Sequence, residues 1–139
     1  LSPAHGKRLR HVLTENDRVL KAVNAMKSAD LVSLGKLMQE SHKSMRDDFE
    51  ITCDEVDQIV AICASVPGVY GARMTGGGFG GCVVALVKPG SVNELVAKVD
   101  AAYKPATQMF VVEASGGARI IQEDRRKASS LVDTNFCTA

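Results

Sequence analysis

Two apolar runs, Val69 to Thr75 and Cys82 to Val87, are separated by only six residues, Gly76-Gly77-Gly78-Phe79-Gly80-Gly81. The first reads "VYGARMT" and the second "CVVALV", and their β-branched residues mark both as strands. A parallel pair needs a crossover of about a dozen residues or more, so a connection this short makes the pair antiparallel. That hairpin is the constraint around which the rest of the chain must fold.

Ahead of it the apolar period is helical. From Arg10 to Met26, residues Val12, Leu13, Val19, Leu20 and Val23 form one stripe. A second stripe holds Leu31, Leu34, Leu37, Met38 and Met45, with Asp30 as N-cap. Thr52 and Glu55 make a capping-box pattern before Val56, Ile59, Val60 and Cys63, and Pro67-Gly68 ends that helix. After the hairpin, Lys88-Pro89-Gly90 is a turn. Ser91 and Glu94 repeat the capping box before Leu95, Val96, Val99 and Tyr103. "MFVVEA" (Met109 to Ala114) reads as a third strand, and "ARII" as a short edge strand after Ser115-Gly116-Gly117. The order of three helices, two strands, a helix and a strand predicts an α+β fold, an antiparallel sheet with helices on one face. Residues 1–121 make the domain, and the polar residues 122–139 read as a disordered or foreign tail.

Composition narrows the function. The 139 residues carry 17 Lys plus Arg against 16 Asp plus Glu, a net charge of +1 that leaves no footprint for nucleic acid or an anionic membrane. Six aromatic residues (four Phe, two Tyr) and no Trp argue against a base-stacking platform. No stretch reaches the ~20 apolar residues of a membrane span, and "LSPAHGKRLRHV" lacks a signal peptide's apolar middle. Cys53, Cys63, Cys82 and Cys137 form no C-x-x-C pair and read as reduced thiols of a cytoplasmic protein. With no initiating Met, the chain reads as a piece of a longer one.

The glycine-rich segment asks for a chemical explanation. Five glycines in six positions each lose more backbone freedom on folding than another residue would. Such a loop lets another group approach bare main chain, and successive N–H groups in a concavity suit phosphate oxygens. Gly76, Gly78 and Gly81 formally match G-x-G-x-x-G, but that fingerprint must open a helix, and here it opens a strand. A P-loop fails because no Lys-Ser or Lys-Thr follows. A plain hairpin needs one or two glycines, so a loop backed onto a ligand or another segment is the better reading.

"GARMTGGGFGGC" resembles the third signature motif of galactokinases, in the GHMP family of small-molecule kinases. "RHVLTENDRVLKAV" (Arg10 to Val23), "MQESHKSMRDDFEITCDEVDQIV" (Met38 to Val60) and "VPGVYG" agree with it in order, so the resemblance runs from about residue 8 to 121. It implies ATP-dependent phosphorylation of galactose at its C1 hydroxyl, with Mg²⁺, by a two-lobed cytoplasmic enzyme. This chain resembles the C-terminal, ferredoxin-like lobe, whose partner would be its own N-terminal lobe. The catalytic Asp, the Arg that assists it and the usual Mg²⁺ ligands belong to that other lobe, so no catalytic or metal residue is expected here. Thr75, Gly76, Gly77, Gly78, Phe79, Gly80 and Gly81 are the implied nucleotide-phosphate loop, with Phe79 a plug against the core. Arg73, Asp47 and Asp48 are candidates to face the cleft between lobes. A non-enzymatic galactose sensor, a kinase for N-acetylgalactosamine or arabinose, and a free-standing binding module are the alternatives.

Other chemistry-bearing residues have plainer readings. Adjacent Ser41 and His42 point about 100° apart on a helix and make a poor triad with Asp47. Arg46, Asp47 and Asp48 read first as an ion pair and a turn cap. His5 and His11 lack metal-ligand spacing, and Lys7, Arg8 and Arg10 read as a solvated face. Met26, Met38, Met45, Met74 and Met109 read as core filler.

Overall fold

The structure, a computed structural model, describes residues 2–105, 107–118 and 120. Helix α1 spans Pro3–Lys27, longer at its start than the apolar stripe predicts. The extra turns come from a Ser-Pro start. Ser2 caps the helix by accepting from the His5 N–H, and Pro3 sits where its missing N–H has no helical partner. Helix α2 (Leu31–Ser44) opens as expected, with Asp30 Oδ1 accepting from the Ser33 N–H at 3.0 Å. It runs into a π-helical turn, Met45–Phe49, and the chain then reverses through Glu50 at φ 58°.

Helix α3 (Asp54–Ala64) starts at Cys53, and the expected Thr52–Glu55 box does not form. The Thr52 hydroxyl bonds the Asp57 carboxylate instead, at 3.2 Å, and the acidic first turn of Asp54, Glu55 and Asp57 complements the helix dipole. Strands β1 (Val69–Thr75) and β2 (Cys82–Val87) pair antiparallel, with Ala72 opposite Ala85 and Thr75 opposite Cys82. A register irregularity falls between Val69 and Gly71. Helix α4 (Val92–Ala102) follows a 3-10 turn, Pro89–Ser91, which takes up the Ser91 cap position, so the second capping box is also absent.

The core sits between the hairpin and helices α3 and α4. Val60, Cys63, Ala72 and Val99 form one buried cluster, and Met45, Val56 and Met74 form another. Burial raises the Cys63 thiol pKa, as expected of a packed, unreactive cysteine. The third strand is not formed. Met109 to Ala114 has no regular structure, and Phe110, Val111 and Val112 are 74–79% exposed. A strand needs a paired neighbour to satisfy its amides, and among the described residues Met109 to Ala114 pairs with neither β1 nor β2. The expected edge strand at 118–121 and the tail from 122 lie wholly or partly outside the described residues. No described helix is long and apolar enough to cross a membrane.

Helix α2 lies against β1 at backbone distance. A Cβ on Gly35 would fall 2.1 Å from the Tyr70 carbonyl oxygen, and one on Gly71 would fall 2.1 Å from the Gly35 carbonyl oxygen. Neither neighbour is a side chain that can swing away. Gly35→Ala is therefore expected to lower stability by at least the ~1–3 kcal/mol of ordinary overpacking. Urea denaturation checks it, and an unchanged midpoint would refute the contact.

Candidate functional site

The glycine loop leaves β1 at Thr75 and re-enters the hairpin at Cys82. Gly76, Gly78, Gly80 and Gly81 have φ between 93° and 135°, a region that side chains rarely adopt. Phe79 joins them at φ 60°, an uncommon conformation for a bulky residue. Phe79 is not the expected plug: it is 76% exposed, and its ring points away from the core. What anchors the loop is main chain. The Phe79 N–H donates to the Ile51 carbonyl at 2.6 Å, and Gly78 is pressed on Ile51 so closely that a Cβ would lie 2.9 Å from the same oxygen.

The remaining loop positions are open. A Cβ on Gly76, Gly77 or Gly80 would meet nothing within 4 Å. Among the described residues, the amides of Gly76, Gly77, Gly78 and Gly80 have no protein acceptor. At its glycines the loop thus offers unpaired donors with no side chain over them, suited to an anion.

The other candidates fall into two groups. At the base of the loop, Arg73 donates to Glu15 Oε1 (3.3 Å) and to the Met74 carbonyl, while Glu15 also holds Arg18 and accepts from the Ser41 hydroxyl. Around the π turn, Asp48 accepts from Arg10 (3.1 Å) and Ser44, and Ser44 in turn meets His11 Nδ1 at 3.0 Å. The His11 ring stacks on Phe49 with centroids 4.6 Å apart. Asp47 pairs with Arg46 at the surface, and that guanidinium holds its carboxyl below the usual range. Lys7 and Arg8 both reach Glu50 and hold its carboxyl at about 2. Arg73 is therefore part of the loop's base. Asp47 and Asp48 belong to the turn that precedes Ile51.

His42 is the residue that the sequence reading passed over. It is 4% exposed, and its Nδ1 accepts the Met74 N–H at 3.3 Å, one residue before the loop's first Thr. Its Nε2 lies 3.1 Å from Asp57 Oδ1, too bent an approach for a good hydrogen bond. With Nδ1 accepting, the neutral ring carries its proton on Nε2. Burial pushes the His42 pKa down, and Asp57 opposes that shift without overcoming it. Sequence offered one clue: His42 lies seven residues from Gly35, so both fall on the same helix face.

Comparison with known proteins agrees with this geometry. The family model "GHMP kinases C terminal" matches residues 20–105. The chain belongs to the GHMP kinase family, as its C-terminal domain. Within that class it is similar to galactokinases. It is 51% identical over 126 residues to the galactokinase of Haemophilus influenzae strain Rd, a match covering 87% of this chain and 33% of that protein. The galactokinase of strain PittEE matches with the same identity and coverage. Among solved structures, Lactococcus lactis galactokinase complexed with galactose superposes with a TM-score of 0.71 at 39% identity, covering 73% of this chain and 26% of that one. L. major mevalonate kinase in complex with R-mevalonate shares the fold, with a TM-score of 0.57 at 24% identity over 70% of this chain and 32% of that one. The chain thus spans about a third of the length of the relatives it matches.

Two outcomes test the site as described. Gly77→Ala, in open space at an ordinary φ, is expected to leave stability unchanged or raise it by up to ~1 kcal/mol. Gly78→Ala is expected to destabilise, because both φ and Ile51 oppose it. Equal midpoints for the two variants in urea would contradict the loop geometry. The second outcome concerns pH. His42 has a native pKa below its ordinary 6.5, so between the two values the unfolded chain holds the proton more often. Its stabilising contribution is whole above about pH 6.5 and is lost as the pH falls through the lowered native value. His42→Asn should flatten this part of the stability curve, measured by urea denaturation from pH 7.5 down to about pH 5.

Proposed function

We propose that this chain is the C-terminal lobe of a galactokinase, which moves the γ-phosphoryl group of ATP to the C1 hydroxyl of galactose. In this reading Thr75 to Gly81 lie against the nucleotide phosphates, and the catalytic groups stand on the N-terminal lobe. The observation that carries it is Gly77. Neither its φ nor its packing requires glycine, so a bare position there makes sense when something outside the chain presses on it.

The residues present fit a polyphosphate. A Cβ at Gly76, Gly77 or Gly80 would fill the space that a phosphate approaching the loop amides needs. Phosphoryl transfer depends on positioning and charge stabilisation more than on covalent chemistry. ATP, when bound, supplies the phosphoryl group, with Mg²⁺ to neutralise its charge. The chain's own part is shape: the amides of Gly76, Gly77, Gly78 and Gly80 offer donors, Thr75 adds a hydroxyl, and the Phe79–Ile51 bond holds the loop still. We place the Mg²⁺ ligands on the N-terminal lobe, as the resemblance to galactokinases implies. Arg73 and the Asp47–Asp48 turn would then border the cleft. Free Cys53, Cys63 and Cys82 are in keeping with a cytoplasmic setting.

The partner lobe also accounts for α1. Leu9, Val12, Leu13, Val19, Leu20 and Met26 are 45–66% exposed on that one helix, more apolar surface than a lone domain usually leaves in water.

The chain alone is expected to release no ADP from ATP and galactose. Assembled with the N-terminal two-thirds of the Haemophilus influenzae relative, it should restore galactose-dependent ADP release in a coupled assay. Gly77→Val should then raise KM for ATP by about tenfold while leaving KM for galactose alone, a difference of ~1.4 kcal/mol in nucleotide binding. Turnover by the chain alone would sink the assignment. So would an assembly that binds both ligands without turnover, the behaviour of a galactose sensor. Turnover of N-acetylgalactosamine or arabinose in place of galactose would overturn the substrate.

A further inference from the structure

A set of polar groups from three separate segments, buried at His42 and half-buried at Asp57 and Thr52, lies beside the glycine loop. It begins at the Met74 N–H, which donates to His42 Nδ1 at 3.3 Å. His42 Nε2 stands 3.1 Å from Asp57 Oδ1 on α3, and Asp57 Oδ2 accepts from the Thr52 hydroxyl at 3.2 Å. Thr52 directly follows Ile51, whose carbonyl takes the Phe79 N–H at 2.6 Å. The stem is thus bonded to His42 and the far side to Ile51, with the His42–Asp57 approach between them a close contact and not a well-aligned hydrogen bond.

We propose that His42, in its neutral Nε2–H form, is a positioning residue for the glycine loop: its Nδ1 holds the Met74 amide at the stem, one residue before the loop begins. Its consequence for ATP rests on the reading given under Proposed function; the clamp does not. His42 touches neither the open loop surface nor any reacting group, so it acts through main-chain geometry.

Protonation would reverse the clamp. A charged ring carries hydrogens on both nitrogens, so Nδ1 would face the Met74 N–H as donor against donor. The charges around the ring are few. Asp57 on α3 favours the charged form, while Arg46 on the π turn and Arg73 on β1 oppose it. On α1, Glu15 is engaged with Arg18, Arg73 and Ser41. Burial, the largest influence, also favours the neutral ring. The loop should accordingly be firmly held at neutral pH and loosen as the pH falls through the ring's lowered native pKa.

The test compares wild type, His42→Leu and His42→Asn by amide-resolved NMR of the 139-residue chain. Asn keeps an acceptor near the position of Nδ1, whereas Leu fills the space without one. His42→Leu is expected to speed Met74 amide exchange by about tenfold or more, with interior α3 amides such as Val60 still protected; His42→Asn should restore it. In wild type, the Met74 and Gly76 to Gly81 resonances should shift together with the His42 ring on acidification, and that transition should vanish in His42→Asn. If His42→Leu fails to fold, the wild-type and His42→Asn titrations decide the matter alone. Loop resonances that ignore the His42 titration, or Met74 exchange equal in all folded variants, overturn the proposal. None of these readouts involves nucleotide, so they stand apart from the kinase assignment. In the assembled kinase, His42→Leu should also raise KM for ATP and leave KM for galactose unchanged. A clamp seen by NMR with KM for ATP unmoved would refute the nucleotide role of the loop and not the clamp.

Discussion

The approach of α2 to β1 at the Gly35–Gly71 contact governs where everything near the loop can sit. With no Cβ on either side, helix and strand backbones meet directly, Gly35 against the Tyr70 carbonyl and Gly71 against the Gly35 carbonyl. From that point the two elements keep step. Seven helical residues from Gly35 to His42 rise about 10 Å. Three strand residues from Gly71 to Met74 advance about 10 Å as well. His42 therefore arrives beside the Met74 amide, and Met45, at the end of the same face, enters the cluster with Met74 and Val56. Side chains at residues 35 and 71 would hold the helix further off, and the imidazole would fall short of the strand.

That approach also explains why a buried histidine is tolerated. Taking a polar ring out of water is unfavourable unless its nitrogens are occupied. One nitrogen accepts a strand amide, itself in need of a partner, and the other faces a carboxylate. Neutral His42 and the Met74 N–H thus satisfy each other. The π turn after α2 contributes in the same region. Its residues Met45–Phe49 and the reversal at Glu50 deliver Ile51 to the loop, while Asp48, Ser44 and His11 tie the turn to α1. Lys7 and Arg8 secure the Glu50 reversal at the surface, where screening makes each ion pair worth little alone.

The hairpin, α2 with its Asp30 cap and the Pro67-Gly68 stop were legible in the sequence because each depends on neighbours a few residues away. Loop length alone sets the strand direction, and β-branched residues mark the strands. The two capping boxes misled because each pattern describes a competition that local sequence does not decide. Thr52 found Asp57, and Ser91 was absorbed into a 3-10 turn. Met109 to Ala114 has strand-forming residues but pairs with neither β1 nor β2, and long-range pairing is invisible in its composition. Phe79 looked like a plug because aromatic residues usually bury, yet its φ of 60° and its main-chain bond to Ile51 turn the ring outward. His42 was set aside with the triad that it does not form. Its role rests on a contact with residue 74, which no local pattern encodes.

The glycines of the loop separate by cause, and the separation bears on function. Gly78 answers to packing, because Ile51 leaves no space for a Cβ. Gly76, Gly80 and Gly81 answer to backbone conformation, each at a φ that disfavours side chains. Gly77 answers to neither. A residue free of both demands would ordinarily be replaced by one that restricts the unfolded chain more and so raises stability. Under the function we propose, the cause of a glycine there lies beyond the chain's own fold, on a loop whose Gly76, Gly77, Gly78 and Gly80 amides have no acceptor among the described residues. Group and geometry then point the same way. No charged side chain lies among Thr75 to Gly81, so under the function we propose an anion there would be held through main chain, and only if that main chain is held still. The Met74–His42 bond at the stem and the Phe79–Ile51 bond on the far side supply that rigidity.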